Sequence, residues 1–157
     1  TGMNTGGSLA SEKRTCGILF PVCLWLLAIV PALALADSKP FAPESIDDVE
    51  IVTAEEAIDL IIENPAMPII DSRKKTDYVK GHIEGAFSLL DTEMTEQDLQ
   101  TISTDRDAAI LFYCNGVRCL RSSNAILKAK DWGYTNLIWF RGGWKEWSDK
   151  RLPVVTD

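Results

Sequence analysis

The sequence predicts an α/β domain whose parallel sheet is covered by helices on both faces. Two patterns predict it. From residue 49 onward, short apolar runs alternate with helical patterns, the signature of strand–helix–strand units. The run from Ala108 to Tyr113 is nearly continuously apolar, not apolar at every second position, as strands buried on both faces are. Length and composition agree. The chain has 157 residues, 46% of them hydrophobic and 25% charged, which suits about one globular domain.

Each element has a local reason. Val49 to Val52 is a short strand candidate. Thr53 and Glu56 form a capping box, because the hydroxyl accepts the amide three residues on and the carboxylate reaches back. Ile58, Ile61 and Ile62 then repeat at helical spacing, giving an amphipathic helix over 54–63 that Asn64 and Pro65 stop. Met67 to Asp71 reads as a buried strand ending in a carboxylate. Lys74 to Val79 reads as helix, Gly81 to Gly85 as a turn and Ala86 to Leu90 as a strand. Thr95 caps a helix running to Ile102. Ala108 to Tyr113 is the central strand, and Ser122 to Trp132 is a helix stopped by Gly133. Asn136 to Phe140 is the last strand, and Arg141 to Trp147 turns into a short helix.

The N-terminus differs. Lys13 and Arg14 precede a charge-free run from Cys16 to Ala36 that ends in an A-x-A pattern at Ala34 and Ala36. A basic start, a short apolar centre and small residues at the end describe a secretory signal peptide cut after Ala36. The competing reading is a membrane anchor over residues 16–36, since the run just reaches spanning length. The organisation is thus leader and signal peptide over 1–36, linker over 37–48 and domain over 49–155. The expected place is the bacterial periplasm, with no stable membrane contact once the signal is removed. Cys16 and Cys23 leave with it, so Cys114 and Cys119 are the thiols of the mature chain, in a compartment that permits disulfides. The formal charge of −7 argues against a nucleic-acid partner, which needs a basic surface.

The chemistry concentrates after the central strand. In α/β sheets ligands gather at the carboxyl ends of strands, where Cys114 and Asp71 both fall. A cysteine facing a helix N-terminus sits among free amides and a positive dipole, which favours a low-pKa thiolate nucleophile. The loop that follows holds Asn115, Gly116, Val117, Arg118, Cys119, Leu120 and Arg121. Amides from Asn115 to Leu120 are expected to surround the sulfur, Gly116 to allow the bend, and Arg118 and Arg121 to attract an anion. The bland alternative for Cys114 is an inert buried thiol.

Several motifs in order resemble a single rhodanese domain over about residues 46–155: Asp71 to Arg73, Tyr78, Gly81 to Ala86, Tyr113 to Gly116, Arg121 with Ser122, Gly142 to Trp144, and Leu152 to Val154. The resemblance implies a five-stranded parallel sheet with flanking helices and thiosulfate-type sulfurtransferase chemistry, with a persulfide on Cys114. The partners it implies are a small anionic sulfur donor and an acceptor, either cyanide or a thiol, including that of a periplasmic protein. One departure stands out. Such domains usually carry an arginine or other polar residue five positions after the cysteine. Here that position is Cys119, the arginine–serine pair comes two residues later, and the loop is about two residues longer. The phosphatase branch of the fold has its arginine six positions on, where this chain has Leu120, so phosphatase activity ranks last.

Three readings of Cys119 stay open: a resolving cysteine that attacks the Cys114 persulfide, a simple disulfide partner, or a bystander. Asp71 and Arg73 read as a buried ion pair that braces the loop. For His82, the single histidine, a catalytic dyad would require it to sit beside Cys114; the resemblance implies instead a structural role, with its ring bonded to nearby backbone. Arg141 is a candidate addition to the anion field, and Trp144 a candidate lining residue at the mouth. Two cysteines and one histidine are too few for zinc, and no other cofactor is called for. Besides sulfur transfer, two functions fit: a thiol–disulfide redox protein using Cys114 and Cys119, and a non-catalytic module that carries sulfur or binds a partner.

Overall fold

Ile110 to Tyr113, apolar throughout, is the middle strand of the domain. The computed structural model describes residues 41–157; the signal-peptide and membrane-anchor readings fall outside the described residues. Five strands, β1 (Glu50–Ile51), β2 (Ile69–Asp71), β3 (Ala86–Ser88), β4 (Ile110–Tyr113) and β5 (Leu137–Phe140), form one sheet in the order β1-β5-β4-β2-β3. All pairings are parallel. Five helices connect and cover them: α1 (Ala54–Glu63), α2 (Lys75–Tyr78), α3 (Glu96–Ile102), α4 (Arg121–Asp131) and α5 (Gly143–Asp149).

Alternation along the strands splits the core in two. Ile70, Ile110, Phe112, Leu137 and Trp139 point to one face, where they pack with Leu99 of α3 and Ala125, Ile126 and Ala129 of α4. Ile69, Leu111, Tyr113, Ile138 and Phe140 point to the other and meet Ala54 and Ala57 of α1, Tyr78 of α2 and Trp147 of α5. A strand covered on both faces must be apolar at every position.

The local signals act as the sequence predicts. Thr53 accepts the Glu56 amide and the Glu56 carboxylate accepts the Thr53 amide, and Thr95 and Asp98 repeat the arrangement on α3. The apolar face of α1 differs from the expected Ile58, Ile61 and Ile62: Ala54, Ala57, Ile58, Leu60 and Ile61 pack into the core, whereas Ile62 is 67% exposed.

Residues 41–48, the described part of the expected linker, are mostly exposed and are anchored at Ala42. Ala42 is buried in the core, and its amide donates to the Val117 carbonyl at 2.9 Å. Arg141 donates through Nε to the Pro43 carbonyl at 2.7 Å and through Nη2 to that of Ala42 at 3.0 Å. Among the described residues no helix is long and apolar enough to cross a membrane.

Candidate active site

Cys114 follows β4 directly, and its loop closes into α4 at Arg121. Two glycines hold the loop in place. Gly116 adopts φ +143. Gly143, at φ +56, lies so close to the loop that a Cβ on it would come within 2.2 Å of the Cys114 carbonyl oxygen. That approach lets the first amides of α5 bind the loop: Trp144 donates to the Cys114 carbonyl at 2.8 Å and Lys145 to that of Asn115 at 3.1 Å.

The base of the site is a buried ionic network. Asp71 is fully buried and Arg73 is 2% exposed. Arg73 Nη2 donates to Asp71 Oδ2 at 2.6 Å and to the Gly81 carbonyl at 2.7 Å. The Tyr113 hydroxyl donates to the same carboxylate at 2.6 Å and accepts the Ile83 amide at 3.2 Å. A buried charge pair is tolerated when its remaining donors and acceptors are satisfied, and this network does that. Burial, with the Asp71 charge, pushes the Tyr113 phenol well above its usual range. Since Tyr113 precedes Cys114, the network fixes where the cysteine begins.

The two cysteines are neighbours in one loop and form no disulfide. Cys114 is 1% exposed. Its Sγ accepts the Ser122 hydroxyl at 3.1 Å, that hydroxyl accepts Trp139 Nε1–H at 2.9 Å, and the Cys114 thiol donates to the Cys119 carbonyl at 3.2 Å. Cys119 is half-buried, and Arg121 Nη1 lies 3.7 Å from its Sγ. The charge therefore divides differently from the sequence expectation of a low-pKa thiol at Cys114. The hydrogen bond to Cys119 and burial push the Cys114 thiol up. The bond from Cys114, the amides of Arg121 and Asn115 and the Arg121 charge hold Cys119 at about 5. A buried sulfur loses its hydration, and here the neighbouring sulfur takes most of the loop's donors. The Gly116 amide faces Cys114, while the Cys119 amide is spent on the Gly116 carbonyl at 2.8 Å.

A cavity of about 440 Å³ opens over the loop, lined by Asn115, Gly116, Val117, Arg118, Cys119, Arg121 and Lys145. A second, of about 310 Å³, is lined by Asp91, Thr92, Arg118, Cys119, Leu120 and Arg121. Cys114 lines neither. The structure thus brings Asn115 to Cys119 and Arg121 to one opening, with Leu120 at the second, and adds Lys145 to the first, Asp91 to the second and Ser122 beside the buried Cys114 sulfur. Asp91 is buried, accepts Asn124 Nδ2 at 3.0 Å and faces Arg121 Nε at 4.0 Å. The arginine–serine pair in the sequence pointed to Ser122. Nothing local to Asp91 or Lys145 pointed to either.

Three other expectations resolve elsewhere. His82 is buried, stacks on Tyr78 at 3.7 Å, bonds the Tyr78 carbonyl through Nδ1 and pairs with Val155, apart from the thiols. Arg141 does not join the anion field, because its guanidinium is committed to the Ala42 and Pro43 carbonyls. Trp144 does not line the mouth, because its ring covers the Arg73 guanidinium at 4.3 Å.

The comparisons with known proteins agree with this fold. The family model for the rhodanese-like domain matches residues 53–150. The uncharacterized protein YibN of Escherichia coli K12 is 29% identical over 108 residues, covering 68% of this chain and 73% of that protein. Among solved structures, the BH2092 protein of Bacillus halodurans superposes with a TM-score of 0.60 at 21% identity, covering 68% of this chain and 77% of that one. A polysulfide-sulfur transferase homodimer of Wolinella succinogenes superposes at 0.54 with 19% identity, covering 70% and 80%. At these identities the superpositions show the fold.

Proposed function

Because the chain belongs to the rhodanese-like domain family, we propose that it is a sulfurtransferase that moves sulfane sulfur from a thiosulfate-like donor to a thiol or cyanide through a persulfide on Cys114. Family membership supports sulfur transfer in general. One observation supports the finer reading: two interacting thiols lie beneath a cavity whose lining includes Arg118, Arg121 and Lys145, in a chain of net charge −7. Thiosulfate is a dianion, and the Arg118 and Arg121 guanidiniums, with a Lys145 ammonium shared with Asp149 at 2.6 Å, draw it to the opening. The Ser122 hydroxyl and the Gly116 amide are the groups that stabilise negative charge on Cys114. Release follows when an acceptor attacks the outer sulfur. The proposal places the protein in the bacterial periplasm, on the signal-peptide pattern before residue 37, with an anchor over residues 16–36 as the alternative.

Intact mass measured before and after thiosulfate, without reductant, tests this. The expected result is a gain of one sulfur atom that cyanide removes. A species lighter by two hydrogens that ignores thiosulfate overturns it in favour of a Cys114–Cys119 dithiol redox protein, the reading the thiol–thiol contact also supports. No change in either measurement leaves a binding module.

A further inference from the structure

Donor sulfur has no open path to Cys114. That thiol is 1% exposed, and the cysteine that lines the cavities beside Arg118 and Arg121 is Cys119. Resting on the sulfurtransferase reading, we propose that Cys119 is the thiol that meets the donor, taking its sulfane sulfur in the Arg118–Arg121–Lys145 cavity and passing it inward to Cys114. In this assignment Cys119 is a second catalytic nucleophile and the two cysteines form a relay.

Four features support it. The first is access, since an incoming anion reaches Cys119 without moving any side chain that covers Cys114. The second is the field at that sulfur: Arg121 Nη1 is 3.7 Å away, and Arg118 and Lys145 line the same cavity. The third is charge. Cys119 is held at about 5, chiefly by its bond from Cys114 and then by the Arg121 and Asn115 amides, so it is a thiolate at neutral pH. The fourth is the position of the receiver. The Cys114 thiol lies 3.2 Å from the Cys119 carbonyl oxygen, and its Sγ accepts a hydrogen bond from Ser122 at 3.1 Å, ready to stabilise charge that arrives there.

The steps balance. The Cys119 thiolate attacks the outer sulfur of thiosulfate; an S–S bond forms to Cys119, the bond to the sulfonate sulfur breaks, and sulfite leaves with that electron pair. The Cys119 perthiolate carries the negative charge. The Cys114 thiol gives its proton to the terminal sulfur and its thiolate attacks that sulfur; an S–S bond forms to Cys114, the bond to Cys119 breaks, Cys119 leaves as the thiolate, and the persulfide now stands on Cys114 beside Ser122. No oxidant or reductant is consumed. Attack by Cys114 on the inner sulfur instead expels hydrosulfide and closes a Cys114–Cys119 disulfide, which is the competing exit from the same intermediate.

Single-turnover reaction with thiosulfate, with sulfite quantified and the extra sulfur mapped by peptide mass, tests the relay in wild type, Cys114→Ser and Cys119→Ser. The expected result is that Cys114→Ser releases about one sulfite per chain and carries the sulfur on Cys119, whereas Cys119→Ser slows sulfite release by about 100-fold or more. Serine keeps the size of the residue over Cys114. Sulfite release by Cys119→Ser at the wild-type rate, or none from Cys114→Ser, overturns the relay. No sulfite from wild type overturns the sulfurtransferase reading beneath it. A measurement on wild type needs no variant to fold: brief iodoacetamide treatment at pH 6, above the Cys119 half-point, modifies Cys119 and spares Cys114. Modification of Cys114 first overturns the order of the two thiols.

Discussion

Asp71 serves as the anchor of the site without facing the cavity. Its carboxylate takes hydrogen bonds from the Arg73 amide, the Arg73 guanidinium and the Tyr113 hydroxyl. Replacing it with alanine leaves a buried guanidinium unpaired and a phenol without its acceptor. The expected cost for Asp71→Ala is about 3–5 kcal/mol, read from the urea midpoint. Tyr113→Phe removes one hydrogen bond and strands the Ile83 amide, so a smaller loss of about 1–2 kcal/mol is expected. Equal losses for the two would show that the ion pair is not what holds the base of the loop. The sequence made this pair readable, because a carboxylate closing a buried strand needs a cation nearby and Arg73 was two residues away. It did not make the distribution of charge between the thiols readable. That depends on the Asn115 and Arg121 amides being folded toward Cys119, and on burial of Cys114, both of which arise from the curl of the loop.

The loop is an element only because α5 closes it. Trp144 and Lys145 supply amides to its carbonyls, and Glu146 of the same helix reaches the first amide of α1 at 2.9 Å. Gly143 is the hinge of this arrangement. A side chain there is opposed twice, by φ +56 and by the Cys114 carbonyl. Gly143→Ala is expected to cost about 2–4 kcal/mol and to lower persulfide formation, measured by urea denaturation and by mass gain with thiosulfate. An active variant of wild-type stability would show that the loop does not lean on α5. At this scale the strands and the capped helices were legible, since Ile110 to Tyr113 and the Thr53–Glu56 and Thr95–Asp98 boxes are local patterns. What sits across the loop was not. Asp91 lies thirty residues before Arg121 with no motif of its own, and Lys145 and Trp144 are distributed to opposite sides, one to the cavity and one onto Arg73, by the turn of a short helix.

Taken as a whole the molecule is acidic, with a small cationic opening. On the proposed function, an anionic donor is drawn to Arg118, Arg121 and Lys145 against the negative charge of the rest of the chain, and its capture is governed by screening. The KM for thiosulfate is expected to rise roughly 3- to 10-fold between about 0.05 and 0.5 M salt, with kcat nearly unchanged, in steady-state assays across ionic strength. A KM indifferent to salt would remove the three side chains from donor capture. The segment from Phe41 to Pro43 belongs to this scale too. The Phe41 ring lies against the Arg118 guanidinium at 4.4 Å, and the Ala42 amide holds the Val117 carbonyl. The family match begins only at residue 53. A fragment trimmed to that match would keep the thiols and the four strands β2 to β5, yet lose β1 and release Val117, Arg118 and Arg141 from their partners. A sluggish fragment would then report where the scissors fell, and say little about the enzyme.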